Sequence, residues 1–152
     1  MTDSKTRSKA RYTEHAQGYV TSETHAKGAD LQRLVTLAQP QSDWVVLDVA
    51  TGGGHTALTF APHVKQVIAS DLTPTMLHAA RDHITAKGAE NVLFQVADSE
   101  NLPFVSGYFD LVTCRIAPHH FPDCFAFVRE CARVLKPGGM LVVQDHLLPD
   151  DE

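Results

Sequence analysis

The sequence predicts an α/β fold built around a parallel sheet. Short apolar runs, rich in β-branched residues, alternate with helical patterns along the chain, which is the order typical of stacked β-α-β units. Most of the runs are continuous rather than alternating, as expected of strands that are covered on both faces. A length of 152 residues with 43% apolar residues predicts one domain with one substantial core.

Five runs have the length and composition of strands. They are WVVLDV (44–49), KQVIAS (65–70), NVLFQV (91–96), FDLVTC (109–114) and MLVVQD (140–145). Their β-branched and apolar residues favour strand over helix. Because helical patterns separate most of them, we expect neighbouring strands to run parallel.

Two predicted helices flank the first strand. The earlier one spans about 22–38 and carries an apolar face, and the later one begins near His55, after three consecutive glycines. Residues 1–18 are polar, and we expect them to form a flexible segment until a contact orders them.

Two later helices have clear end signals. Thr73 and Pro74 fit the N-cap and first turn of a helix that runs to Gly88. Another helix runs from about Pro122 and is expected to stop at LKPGG (135–139), where lysine, proline and glycine all favour a helix end.

The composition excludes some classes of partner. The chain has 13 basic and 18 acidic residues, a net charge of −5, which argues against nucleic acid or an anionic membrane as the main partner. The N-terminal MTDSKTRSKARYTEHAQ has no apolar run, and no stretch approaches the length that spans a bilayer, so we expect a cytoplasmic protein. Cys114, Cys124 and Cys131 are odd in number and lack CxxC spacing, so we expect reduced thiols.

The loops after the strands are the expected ligand sites, because parallel sheets bind ligands beyond the carboxyl ends of their strands. The first loop is DVATGGGH (48–55), whose glycines permit a tight turn and a close approach of a ligand to the backbone. The spacing Gly52-x-Gly54-x-x-Ala57 also fits the dinucleotide fingerprint. A nicotinamide dinucleotide and a purely structural turn both stay open at this point.

The second loop begins with Asp71 and Leu72, at the end of the second strand. A carboxylate there can accept hydrogen bonds from both hydroxyls of a ribose, and the leucine can cover a base. The alternative is that Asp71 only caps the helix beginning at Pro74, but Thr73 is better placed for that. We therefore interpret Asp71 as a ribose ligand.

The third loop, VADSENLPF (96–104), contains Asp98 and Ser99. The carboxylate could accept a hydrogen bond from an exocyclic amine such as that of adenine, while the backbone of Ser99 reads the ring edge. An acid-rich capping box explains the same loop equally well.

Three aspartates, Asp48, Asp71 and Asp98, are expected at the carboxyl ends of neighbouring strands, where they make the rim of a pocket negative. Asp48 would repel a dinucleotide pyrophosphate in a partly dry site. S-adenosylmethionine carries no phosphate, and its ammonium and sulfonium groups are attracted by a carboxylate. The charge pattern therefore favours S-adenosylmethionine.

Five motifs together resemble the class I S-adenosylmethionine-dependent methyltransferases, and within them the group of ubiquinone/menaquinone biosynthesis C-methyltransferases. The motifs are VLDVATGGGH, ASDLT, VADSENLPF, FDLVTCRIAPHHF and RVLKPGGMLVV, and the resemblance covers nearly the whole chain from Tyr12 onward. It implies a Rossmann-like, doubly wound sheet of about five parallel strands in the order 3-2-1-4-5, with helices on both faces. It also implies in-line methyl transfer from S-adenosylmethionine to a small-molecule acceptor.

The resemblance assigns roles to residues at the cofactor site. Asp48 would approach the methionine ammonium, Asp71 would hold the ribose, and Asp98 with Ser99 would read the adenine amine. The other assigned positions would surround the cofactor: Ala50, Thr51, Gly52 and Gly54 at the methionine part, Leu72 and Met76 beside adenine, the backbone of Arg115 and Ile116 over the methionine end, and Tyr19 in a lid motif with Tyr12 and Ala16.

Two features depart from the family pattern. Ala50 stands where the family often has a glycine, which restricts the backbone angles of the turn. Such folds also usually continue with a helix and an antiparallel hairpin, whereas this chain ends at 148–152. We therefore expect residues 1–18 to form a lid on a cofactor domain of residues 19–152. Either this domain is C-terminally truncated, or the strand at 140–145 is an edge that a partner chain, as in a homodimer, or another domain must cover.

His119 and His120 are the candidate bases that would face the acceptor, because histidine takes up protons near neutral pH. Either could instead be a polar packing residue. A zinc site of His119, His120 and Cys124 is disfavoured, because adjacent histidines diverge and a fourth ligand is not evident. Three hypotheses follow: a methyltransferase, a nicotinamide-dependent oxidoreductase, and a catalytically silent cofactor-binding module that acts through a partner.

Overall fold

The computed structural model describes residues 5, 6, 9 and 28–146, without the side chain of His119. This part of the chain contains the strands β1 (Val45–Val49), β2 (Gln66–Asp71), β3 (Val92–Val96), β4 (Phe109–Arg115) and β5 (Leu135–Gln144). All neighbouring strands pair in parallel, in the order β3-β2-β1-β4-β5. The predicted α/β class and strand order are confirmed.

The α-helices of the described residues are α1 (Gly28–Ala38), α2 (His55–Phe60), α3 (Pro74–Ala86) and α4 (Cys124–Val134). Helix α1 is the described part of the helix predicted at 22–38. Short 3-10 turns follow α2 and β4, at Ala61–His63 and Pro118–His120. Helices therefore separate the consecutive strands as the sequence pattern predicted, except between β3 and β4.

Helix α4 begins two residues later than the predicted start at Pro122. Asp123 is its N-cap, and Oδ1 of this residue accepts a hydrogen bond from the backbone N–H of Ala126 at 3.0 Å. An aspartate at this position satisfies one of the backbone donors that the first turn of a helix leaves without a partner.

Strand β5 begins five residues earlier than predicted. Helix α4 does end at Val134, but the LKPGG segment that was expected to be a loop belongs to the strand. Leu135 pairs with Phe109, and the register then shifts so that Met140 pairs with Leu111. The shift accommodates the turn-forming residues in an irregular stretch of strand, where Gly138 has a φ of 80°.

Both faces of the sheet are covered by helices. One core cluster joins β1, β2 and β4 to α1, α2 and α3, and includes Leu34, Val46, Phe60, Val67, Ile84 and Leu111. The other joins the opposite face to α4, and includes Leu47, Val49, Phe109, Val112, Phe127, Cys131 and Val134. This double coverage explains why the central strands are continuously apolar.

All three cysteines are free thiols, as predicted, with Cys114 and Cys131 buried and Cys124 exposed. Burial raises the pKa of the Cys131 thiol to about 12, and it raises the pKa of Cys114 well above its ordinary value. The two buried cysteines therefore act as small apolar core residues. Among the helices that the structure describes, none has the length and apolarity to cross a membrane.

Candidate cofactor site

A cleft lies where the loops after β1, β2, β3 and β4 converge. The empty space of this cleft is about 970 Å³, a figure that includes open solvent. Most of the predicted cofactor residues line it: Asp48, Ala50, Thr51, Gly52, Asp71, Leu72, Met76, Asp98, Ser99, Arg115 and Ile116. The topology thus brings together residues that are far apart in the sequence.

Three predicted site residues are not among the described residues of the cleft. Tyr19 and the side chain of His119 lie outside the described part of the chain. Gly54 is described but does not line the cleft. Its φ is 84°, and a Cβ at this position would lie 2.8 Å from Cδ1 of Ile84. Gly54 therefore serves the packing of the glycine turn against α3.

The glycine turn after β1 is fixed by backbone hydrogen bonds. The N–H of Thr51 donates to the carbonyl oxygen of Ser70 at 2.8 Å, and the N–H of Gly54 donates to that of Thr51 at 2.9 Å. Ala50 and Gly52 have φ values of 53° and 56°. Left-handed backbone costs a residue with a Cβ roughly 1–2 kcal/mol, so the alanine at position 50 carries local strain that a glycine would avoid.

The carboxylate of Asp48 lies buried at the end of β1, with 2% of the residue exposed. Oδ1 accepts a hydrogen bond from the hydroxyl of Thr113 at 2.7 Å, and Oδ2 accepts one from the hydroxyl of Thr51 at 2.6 Å. Burial raises the pKa of Asp48 to about 6, although these hydrogen bonds and the charge of Arg115 act in the opposite direction. At neutral pH, Asp48 is therefore a mostly ionised carboxylate that a cation would stabilise.

The carboxylate of Asp71 joins β2 to two backbone segments. Oδ2 accepts a hydrogen bond from the N–H of Gly52 at 3.0 Å, and Oδ1 accepts one from the N–H of Thr73 at 3.0 Å. Burial raises the pKa of Asp71, while these backbone donors lower it. Thr73 is the N-cap of α3 and Pro74 lies in its first turn, as predicted, but the buried hydroxyl of Thr73 makes no capping hydrogen bond and has no partner among the described residues.

Asp98 forms a turn and an ion pair. Its Oδ1 accepts a hydrogen bond from the N–H of Glu100 at 2.9 Å, and the N–H of Asn101 donates to its carbonyl oxygen at 3.0 Å. The capping-box alternative is therefore wrong, since this loop is a turn and not a helix start. The ammonium of Lys5 lies 2.8 Å from Oδ2 of Asp98 and 2.8 Å from Oε2 of Glu100.

Lys5 and Glu100 both line the cleft and were not among the predicted site residues. The hydrogen bonds that Lys5 donates to Asp98 and Glu100 raise its pKa, so this lysine stays charged. The sequence offered one signal, a basic start facing an acid-rich loop, but not the pairing between them. The N-terminal segment therefore contributes a cation to an otherwise acidic rim.

The end of β4 is bound to β5 beside the cleft. Nε of Arg115 donates a hydrogen bond to Oε1 of Gln144 at 3.2 Å, and the N–H of Ile116 donates to the carbonyl oxygen of Gln144 at 2.7 Å. Ile116 has a φ of 52°, which is uncommon for a β-branched residue. The strained residue turns the chain out of the sheet at the position where it borders the cleft.

His120 is exposed and lines the cleft together with Phe121 and Pro122. The backbone N–H of His120 donates a hydrogen bond to the carbonyl oxygen of Ala117 at 2.9 Å, within the 3-10 turn. The nearby Sγ of Cys124 donates to the carbonyl oxygen of Pro118 at 3.4 Å. In the described ranges, His, Cys, Asp and Glu side chains form no group of three or more that could hold a metal ion.

His83 of α3 contacts the glycine turn. Nδ1 of His83 lies 3.0 Å from the carbonyl oxygen of Gly53, and its ring packs edge-to-face on that of His55 at 4.6 Å between centroids. Because a carbonyl oxygen only accepts, Nδ1 of His83 must carry the hydrogen. This contact could not be predicted from local sequence, since the two residues are 30 positions apart.

Comparison with known proteins identifies the family. Residues 47–143 match a family model described as a methyltransferase domain. The chain belongs to this family. It is 41% identical over 140 residues to the uncharacterized methyltransferase YcgJ of Bacillus subtilis (strain 168), and the match covers 92% of this chain and 55% of the relative. The crystal structure of the YcgJ protein has a TM-score of 0.77 and 43% identity, covering 81% of this chain and 53% of that one.

The chain is also similar to a ubiquinone/menaquinone biosynthesis C-methyltransferase, UbiE of Pseudomonas putida. The identity is 37% over 111 residues, which are 70% of this chain and 43% of the relative. The predicted resemblance to S-adenosylmethionine-dependent methyltransferases, including this group, is confirmed. The chain spans about half the length of these relatives.

Proposed function

We propose that this methyltransferase chain binds S-adenosylmethionine and directs its methyl group to a small-molecule acceptor. The observation that carries the proposal is the convergence of Asp48, Asp71 and Asp98 on one cleft beside the glycine turn. Membership of the methyltransferase domain family supports the same cofactor.

The chemical groups of the residues that line the cleft match those of S-adenosylmethionine. Asp48 is a carboxylate whose pKa is raised by burial, and the methionine ammonium would stabilise its charged form. Each oxygen of Asp71 accepts one backbone N–H and retains a further lone pair for a ribose hydroxyl. Leu72 and Met76 provide apolar surface for adenine, and the loop of Asp98 and Ser99 provides acceptors for its amine.

A nicotinamide dinucleotide fits the same cleft less well. Its pyrophosphate would bring negative charge to the turn that begins beside Asp48. Two like charges 4 Å apart repel by about 4 kcal/mol at an effective dielectric constant near 20. The proposal therefore keeps the dinucleotide only as a competing ligand in the test.

When bound, S-adenosylmethionine supplies an electrophilic methyl group for in-line displacement. The residues of the chain would then position the acceptor and exclude water. His120 borders the cleft, and its imidazole can take a proton from an acceptor near neutral pH. His119 is the second candidate for this base, and Phe121 with Pro122 would form apolar walls for the acceptor.

We also propose that residues 1–18 act as a lid on a cofactor domain formed by residues 19–152. The ion pairs of Lys5 with Asp98 and Glu100 support this role, because they connect the N-terminal segment to the cleft.

Strand β5 is an edge of the described sheet and exposes Met140 and Val143, which favours pairing with a second copy. Light scattering after gel filtration would measure the proposed homodimer, and a monomeric mass would contradict it.

Calorimetric titration with S-adenosylhomocysteine, in parallel with NAD, tests the proposed cofactor. We expect saturable binding of S-adenosylhomocysteine that is lost in Asp71→Ala and retained in Asp82→Ala, whose site is an exposed position on α3. Preferential binding of NAD would overturn the charge argument. Binding of neither ligand to a folded chain would overturn the assignment of this cleft as the cofactor site.

A further inference from the structure

Residues 97–108, all of which the structure describes, connect β3 to β4 without a helix. The connection starts with a turn, residues 98–101, whose first three residues line the cleft. On one side the turn is joined to β2, because the N–H of Ala97 donates a hydrogen bond to the carbonyl oxygen of Asp71 at 2.9 Å. A turn without a helix behind it needs a second support to keep a fixed position in the cleft.

Helix α4 supplies this support at Leu102, the residue after the turn. Oε1 of Glu130 accepts a hydrogen bond from the N–H of Leu102 at 2.8 Å, and Nη2 of Arg133 donates one to its carbonyl oxygen at 2.9 Å. The side chain of Leu102 is buried in the core cluster that contains Phe127 and Cys131 of α4. One helix therefore holds the side chain and both polar backbone groups of this residue.

The guanidinium of Arg133 has all of its donors occupied. Nε donates to Oε2 of Glu130 at 2.6 Å, and Nη2 donates to Oε1 of Glu130 at 3.2 Å in addition to its bond with Leu102. Nη1 donates to the carbonyl oxygen of Phe104 at 2.8 Å and to the hydroxyl oxygen of Ser106 at 3.3 Å. A guanidinium has five N–H groups in a planar fork, and each of them has an acceptor here. The position of the loop backbone is thereby fixed relative to α4.

Glu130 and Arg133 stabilise the charged form of each other. The hydrogen bond with Arg133 lowers the pKa of Glu130, and the same contact raises the pKa of Arg133. An ion pair between residues one turn apart on a partly exposed helix face contributes little to stability by itself. The contacts of the pair with the loop are therefore the feature that its role must explain. Neither residue lines the cleft, so both act on a ligand there only through the loop.

We infer that Glu130 and Arg133 are positioning residues that hold the 98–101 turn at hydrogen-bonding distance from the adenine amine, and thereby set the preference of the cleft for adenine. The inference rests on the proposed function, in which Asp98 accepts from this amine, and adds two residues of α4 to it. A hydrogen bond weakens steeply when its distance and angle depart from the optimum. A displaced turn therefore reduces recognition of the amine more than it reduces contact with the ribose, which Asp71 would hold from β2.

S-adenosylhomocysteine and S-inosylhomocysteine test the inference, because they differ only in the purine, where a carbonyl group replaces the amine of adenine. By calorimetric titration, we expect the wild-type chain to bind the first about 10-fold or more tightly than the second. In Arg133→Met and in Glu130→Ala, this preference should fall by about 5-fold. The affinity for S-inosylhomocysteine should change by less than about 2-fold, because this ligand lacks the amine that the turn would read.

Two further variants sharpen the test. Glu130→Gln keeps an acceptor for the N–H of Leu102 but removes the charge that holds Arg133, so its preference should lie about 2- to 3-fold below that of the wild type. Arg129→Met is the matched control for Arg133→Met, since Arg129 is an exposed arginine on the same helix and does not line the cleft. It should retain the wild-type preference.

Equal losses of affinity for both ligands in the folded variants would overturn the inference, and would limit the pair to a role in stability. If Arg133→Met and Glu130→Ala fail to fold, an unchanged preference in Glu130→Gln would overturn it instead. Tight binding of both ligands by the wild type with equal affinity would also overturn it, because the turn would then not read the amine, and would leave the proposed cofactor site intact. Binding of neither ligand by the wild type would reject the proposed function itself.

Discussion

The carboxylate of Asp71 at the end of β2 accepts the backbone N–H of Gly52 at 3.0 Å, so one side chain links the second strand to the glycine turn of the first. The same carboxylate accepts the N–H of Thr73 at the start of α3. A residue predicted to bind ribose thus also fixes two backbone segments that border the cleft. Its role in folding and its role in binding must be separated by experiment.

Substitution of Asp71 should reduce stability according to the number of backbone donors left without an acceptor. Asp71→Asn retains one acceptor oxygen, and we expect a loss of about 1 kcal/mol. Asp71→Ala removes both, and we expect a loss of about 2–3 kcal/mol in the free energy of unfolding. Urea denaturation would measure both values. Asp82→Asn and Asp82→Ala should stay within about 0.5 kcal/mol of the wild type, and equal stability of all four variants would contradict this account.

Stability should depend on pH through Asp48. Folding raises the pKa of this carboxyl from 3.8 to about 6, so the folded state binds its proton more tightly than the unfolded state does. The folded state therefore gains stability as the pH falls from about 6 towards 3.8, by on the order of 3 kcal/mol, and this contribution is absent at pH 7. The difference in unfolding free energy between wild type and Asp48→Asn should change across this range. Parallel pH profiles of the two proteins would refute the raised pKa of Asp48.

Ala50 and Gly54 of the glycine turn provide a matched pair of substitutions. Ala50 stands where a glycine is expected, whereas Gly54 packs against α3 instead of lining the cleft. Ala50→Gly relieves a left-handed backbone that costs a Cβ-bearing residue roughly 1–2 kcal/mol, less an entropic cost of about 0.5–1 kcal/mol, so we expect a small gain in stability. Gly54→Ala places a Cβ 2.8 Å from Ile84 at a φ of 84°, and we expect a loss of at least about 1–2 kcal/mol. Thermal or chemical denaturation of both variants decides, and a stabilised Gly54→Ala would show that the turn packs differently.

Removal of the Lys5 ammonium should strengthen cofactor binding. Lys5 is paired with the carboxylate that we assign to the adenine amine, so the lysine ammonium and the neutral amine of adenine compete for Asp98. Ion pairs of this exposure are worth about 0–1 kcal/mol, so we expect Lys5→Met to increase the affinity for S-adenosylhomocysteine by about 2- to 5-fold at low salt. The gain should diminish as salt is added.

Lys65→Met, at an exposed position outside the cleft, controls for the change in net charge. A loss of affinity in Lys5→Met alone would contradict this competition, and it would show that the ion pairs of Lys5 hold the proposed lid over a bound ligand.

The strands and the acidic rim could be predicted because each is recorded in local sequence. Buried strands require continuous apolar residues, and the aspartates follow them directly. The start of β5 could not be predicted, because Pro137, Gly138 and Gly139 favour a turn locally while pairing with β4 extends the strand. The packing role of Gly54 could not be predicted either, because the sequence does not show whether a glycine leaves room for a ligand or for the side chain of an isoleucine.

Lys5 shows a different limit of sequence reasoning. Its acidic partner Asp98 is 93 residues away, and no periodicity connects the two. A charge at the polar start of a chain is usually solvated, so nothing in the local pattern distinguishes it from its neighbours. Contacts of this kind depend on the folded topology alone.

The glycine turn has its backbone secured on three sides before any ligand arrives: Thr51 by Ser70, Gly52 by Asp71, and Gly53 by His83. Ordering a residue costs about 1–2 kcal/mol of conformational entropy. For the glycine turn, this entropy is lost when the chain folds and not when a ligand binds. A ligand therefore encounters a rigid surface and loses little affinity to loop ordering. Changes that loosen the turn should consequently alter how long a ligand stays more than how fast it enters.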